Sequence, residues 1–120
     1  MARVPGYSKM FFKFQSACTH AAGLVHKAFP TTPWAFFYRD GVEVMASNFR
    51  NSQSRGPCTR NQRQPPLGVQ MAASMSADAL RTAPPEQYCA AHLSFLRHSA
   101  LDALRPHASM GVSVKYDTLP

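Results

Sequence analysis

The sequence predicts a small α+β protein with a marginal core. Three stretches carry that expectation: a helical apolar period over residues 8–30, an aromatic run from Trp34 to Tyr38 followed by Asp40-Gly41, and a proline-opened amphipathic stretch over 84–106. At 120 residues the chain is short enough to expect a single domain. Leu, Val and Phe number 23 and Ile is absent. That content sits just under the level of about 20% below which charged chains tend toward disorder, so partial disorder, or order gained on a partner, is expected.

Ser8 follows Pro5 and Gly6 and is placed to cap a helix, which Pro30 would end because proline lacks the N–H and crowds the preceding turn. The interval is long enough for about six turns. At 100° per residue, Met10, Phe14, Ala17, Cys18, Ala21, Leu24, Val25 and Ala28 share one side, and Lys9, Lys13, Ser16, His20 and Lys27 form a basic stripe opposite. Phe12 alone breaks the pattern.

Trp34 to Tyr38 reads as a strand, since consecutive bulky aromatics suit a pleated surface. Asp40-Gly41 fits the two-residue turn of a β-hairpin, with Val42 to Ala46 returning so that Phe37 faces Val44 and Phe36 faces Met45. Residues 1–47 then form an amphipathic helix plus an aromatic hairpin. Residues 48–70 hold Arg50, Arg55, Arg60 and Arg63 among Asn, Gln, Ser, Gly and Pro, without an acid, and read as a disordered basic linker. A helical segment is expected over 71–106. Its first part, Met71 to Arg81, is Ala-rich but weakened by Ser74 and Ser76. Its second opens at Pro84 and Pro85, closes at Pro106, and aligns Cys89, Leu93, Leu96, Ala100, Ala103 and Leu104. The tail, 107–120, offers a short strand from Val112 to Tyr116.

The net charge of +7 is lopsided. Up to Ala77 nine basic residues face only Asp40 and Glu43, whereas from Asp78 onward four basic and four acidic residues cancel. Such an excess attracts polyanions. Lys9, Lys13, His20 and Lys27 are the candidates for an anionic membrane surface, and Arg50, Arg55, Arg60 and Arg63 for phosphates such as those of RNA. No aromatic interleaves these arginines to stack on bases, which argues against sequence-specific RNA recognition. Phe14, Leu24, Val25, Trp34, Phe36 and Phe37 are the candidates for packing against a protein partner or larger complex.

Cys18, Cys58 and Cys89 are odd in number and widely spaced, so reduced thiols and an intracellular setting are expected. Cys18 with His20 and Cys89 with His92 lack zinc-finger ligand spacing, and neither a metal nor a cofactor is expected. His98 and Asp102 stand one turn apart, but no Gly-x-Ser-x-Gly elbow, phosphate-cradling glycine loop or convergent carboxylate pair accompanies them, so the chain does not read as an enzyme. No apolar run reaches the roughly 18 to 20 residues that a spanning helix requires.

The leading expectation is a non-enzymatic accessory protein that docks on a larger assembly or an anionic surface. The alternatives are peripheral membrane binding or mitochondrial targeting through the first helix, favoured by five basic residues and no acid before Asp40. A third alternative is the product of a young or fortuitous reading frame with no selected function.

Overall fold

The computed structural model describes Lys9, residues 11–50 and residues 56–118. Within them the chain is mixed α+β, with five α-helices and a two-stranded sheet. The helices are α1 (Ala22–Ala28), α2 (Gly41–Phe49), α3 (Leu67–Ala73), α4 (Ala77–Thr82) and α5 (Pro85–Leu104), and the strands are β1 (Trp34–Tyr38) and β2 (Gly111–Lys115).

The organising element is α5. Pro84 occupies its N-cap and Pro85 its first turn, where a missing N–H costs nothing, and Glu86 faces the positive end of the helix dipole. Its buried side combines Cys89, Leu96, Ala100 and Ala103, as the spacing predicts, with Tyr88 and Ala91. Against it pack α3, α1 and the 3₁₀ turns at Ser16–Ala21 and Pro57–Thr59. The core proper is Val69, Leu80, Tyr88 and Ala91, closed by Ala73, Met75 and Phe95. Gly68 lets α3 approach closely, because a Cβ there would stand 2.6 Å from Cζ of Phe95.

The expected single helix over 71–81 is two helices. Ser74 takes the left-handed conformation (φ 53°, ψ 39°), its N–H bonding the carbonyl of Met71 at 3.2 Å while Met75 N–H bonds that of Gln70 at 3.1 Å. This pattern is a Schellman stop. Ser76 then caps α4, its hydroxyl accepting from Ala79 N–H at 3.2 Å.

The hairpin is not formed. β1 pairs in parallel with β2, register Trp34 to Gly111 through Tyr38 to Lys115, and Val42 to Ala46 belong to α2. Asp40 explains the outcome: its carboxylate accepts from Val42 N–H at 2.9 Å and Glu43 N–H at 3.3 Å, which starts a helix instead of a reversal. Asp40 and Glu43 have the spacing of a capping box, so the competing signal was present in the residues.

The six-turn N-terminal helix is also corrected. Ser8 and Met10 lie outside the described residues, residues 11–15 are not helical, 16–21 form 3₁₀ structure, and only Ala22–Ala28 is α-helical. Ser16, Cys18 and Thr19 are weak helix formers, and the Thr19 hydroxyl donates to the Ser16 carbonyl at 2.7 Å. The buried side is also rotated, with Ala21 of the predicted apolar side half-buried and the predicted basic stripe at Ser16, His20 and Lys27 still exposed. His26 is buried and Ala22 and Thr19 half-buried, while Leu24 and Val25 face solvent.

Part of the expected linker is ordered. Gly56, Cys58, Thr59, Pro65 and Val69 are buried, and α3 begins at Leu67. Residues 51–55, including Arg55, lie outside the described residues. The expectation of reduced thiols fails at two positions: Cys58 and Cys89 form a disulfide, with Cα atoms 5.1 Å apart, and Cys18 is a free, exposed thiol.

Candidate anionic-surface site

The N-terminal segment presents its apolar side chains to solvent. Phe11 is 90% exposed, Leu24 68% and Phe29 61%, and Phe12 and Phe14, also exposed, stack on each other with centroids 6.5 Å apart. Lys9, Lys13 and Lys27 are exposed among them. The local reason is mixed patterning. Residues 11–15 lie outside regular structure, and in the part that packs on α5 the covered positions are Thr19, Ala21, Ala22, Gly23 and His26. Bulky side chains are therefore left outside, between cations.

His20 departs from the predicted stripe, since its ring stacks on Phe95 of α5 with centroids 6.1 Å apart. It serves the junction with α5. Of the predicted packing residues, Phe14, Leu24, Val25 and Phe37 are exposed, whereas Trp34 and Phe36 are half-buried. Trp34 lies over Gly111, where an added Cβ would meet Trp34 Cε2 at 2.7 Å and Leu104 Cδ2 at 2.8 Å. The opposite sheet face carries exposed Phe37 and Val112, with the Arg39 guanidinium 4.8 Å above the Tyr116 ring.

Arg50, Arg60 and Arg63 are exposed, but Arg60 and Arg63 sit on an anchored turn. Gln62, between them, donates to the carbonyls of Ala83 at 2.8 Å and Leu80 at 3.3 Å. Arg60 and Arg63 are thus presented from a turn held by hydrogen bonds and not from a flexible tether. Neither the Lys-bearing segment nor this turn contains an acid.

The titratable groups of α5 make a poor reaction centre. His98 Nδ1 lies 2.8 Å from the Ser94 carbonyl, which requires it to donate there, and Asp102 pairs with Arg105 at 3.8 Å. The suggested His98 and Asp102 pair is thus divided between other partners. Tyr88 and His92 stack with centroids 6.4 Å apart, and the Tyr88 hydroxyl and His92 Nδ1 have no hydrogen-bond partner among the described residues. Burial pushes the Tyr88 hydroxyl pKa up and the His92 pKa down, so both are neutral near neutral pH. The disulfide removes Cys89 from any thiolate ligand set with His92. Among the described residues, no group of three or more His, Cys, Asp and Glu could hold a metal ion, and no helix is long and apolar enough to cross a membrane.

Comparison with known protein families, curated proteins and solved structures finds no match.

Proposed function

We propose that this protein is a non-enzymatic peripheral binder of anionic membrane surfaces, acting through residues 9–29. The observation that carries the reading is the exposure of Phe11, Phe12, Phe14, Leu24 and Phe29 in the same stretch as Lys9, Lys13 and Lys27, in a region with no acid. Aromatic and leucine side chains gain from entering the acyl boundary, while lysines stay at the headgroups and gain from anionic lipid. Each lysine near such a surface contributes about 1 kcal/mol, and the attraction falls within a Debye length. The two contributions separate experimentally.

Co-sedimentation with phosphatidylcholine vesicles, with and without phosphatidylserine, is the test. Binding is expected to the anionic vesicles and to weaken with added salt. Replacing Lys9, Lys13 and Lys27 with Gln should remove the lipid preference, and replacing Phe11, Phe12 and Phe14 with Ser should weaken binding even at low salt. Equal partition to both vesicle types would overturn the reading.

A protein partner at the sheet is the second reading, favoured by Phe37 and Val112, each 57% exposed on one face. Phe37→Ser should then release co-purifying proteins and leave vesicle binding unchanged. Loss of both together would point to damage to the fold.

A further inference from the structure

Cys58 and Cys89 are held close by hydrogen bonds and packing that accompany their bond. Cys58 lies in the 3₁₀ turn at Pro57–Thr59, where Thr59 N–H bonds the Gly56 carbonyl at 3.0 Å and Cys58 N–H bonds Asn48 Oδ1 at 3.2 Å. Gln62 ties the following residues to the carbonyls of Leu80 and Ala83, just ahead of α5. Cys89 stands early in α5 at 0% exposure and Cys58 at 4%. Their Cα separation of 5.1 Å falls in the range of about 4.4 to 6.8 Å that a disulfide spans.

We propose that this bond is made by oxidation as the chain folds and is then sealed by burial, so that the protein matures in an oxidising compartment instead of a reducing cytosol. The oxidant is glutathione disulfide, a small-molecule disulfide. One cysteine thiolate attacks it, forming a mixed disulfide and releasing one glutathione thiolate. The other cysteine thiolate then attacks the protein sulfur of the mixed disulfide and releases the second. Two electrons pass from the cysteines to the glutathione sulfurs, and the two thiol protons end on the released thiolates. Reversal requires a thiolate to approach one protein sulfur along the S–S axis. Burial closes that approach in the folded chain.

Two further observations support a structural role. The largest fully buried side chains are Tyr88, Leu80, Val69 and Cys89 itself, a thin core of the kind that small proteins reinforce with crosslinks. The bond spans 31 residues, and Val69, Leu80 and Tyr88 all lie inside the loop it closes. Persistent bonds of this type belong to oxidising compartments. Cys18, exposed and outside the bond, provides an internal control.

The test begins with the chain from cells that make it, acid-quenched and alkylated before any reduction. Peptide mass spectrometry is expected to find Cys18 alkylated and the Cys58 and Cys89 peptides joined; alkylation of all three cysteines would overturn the proposal. The purified oxidised chain is then incubated with millimolar reduced glutathione, with and without urea. The bond should survive without urea and open with it. Equal reduction rates in the two conditions would overturn sealing by burial, whatever the compartment.

Discussion

At the residue scale, Ser74 carries a conformational cost that its neighbours make necessary. The Schellman stop needs a left-handed residue, and a Cβ there is unfavourable by roughly 1 to 2 kcal/mol. Ser74→Gly relieves that cost but enlarges the unfolded ensemble, so a net gain of up to about 1 kcal/mol is expected in urea unfolding. Gly111 is the opposite case. It is buried under Trp34 and beside Leu104, and Gly111→Ala should lower stability by about 1 to 3 kcal/mol, read as a lower urea midpoint with an unchanged slope. His92 sets a pH dependence. Its pKa is lowered in the folded state by burial, so the unfolded chain binds more protons in the acid range. Stability is therefore intact above the ordinary histidine pKa and declines as pH falls through it toward the lowered folded value. His92→Phe should flatten that decline in a series of urea melts from pH 7 down to pH 5.

At the element scale, Asp40 decides a fork in the chain. Asp40-Gly41 is both a good hairpin turn and a good helix start, and the carboxylate bonds to Val42 and Glu43 N–H show the second outcome. Removing the cap with Asp40→Ala should cost about 1 kcal/mol and reduce helical circular dichroism, whereas Asp40→Asn, which keeps an acceptor, should cost little. The same fork shows why some elements were legible and others were not. Strand β1, strand β2 and helix α5 lie close to their expected positions because apolar period and proline punctuation agree there. The pairing of β1 with β2 joins residues on opposite sides of α5, and no local spacing encodes that contact. In the basic stretch, polar composition hid an ordered turn, because the order comes from Cys58, Pro65 and the Gln62 amide, not from an apolar run. The N-terminal candidate residues were legible by type and charge but not by orientation. Periodicity assigns Leu24 and Val25 to the core, whereas the covered positions are Ala22 and His26 and the His20 ring stacks on Phe95 of α5.

At the scale of the whole molecule, the charged, aromatic segment and the core are largely separate parts. Val69, Leu80, Tyr88 and Ala91 all come from residues beyond Gly68, and the disulfide ties the turn at Pro57–Thr59 to α5 of that part. Residues 11–15, by contrast, are exposed and outside regular structure, and packing on α5 begins only with the turn at Ser16–Ala21. Removing residues 1–14 should therefore leave the thermal midpoint within a few degrees of that of the full chain, since it removes no buried side chain among the described residues. It also removes Lys9, Lys13, Phe11, Phe12 and Phe14, so binding to anionic vesicles should fall sharply. Removing residues 1–30 goes further, taking away His26 and the whole contact of α1 with α5. That longer truncation should lower the midpoint as well. Differential scanning calorimetry and vesicle co-sedimentation on the two truncated chains distinguish the cases. A large loss of stability from the shorter truncation would mean that the exposed aromatics support the fold, and vesicle binding that survives it would place the membrane contact elsewhere.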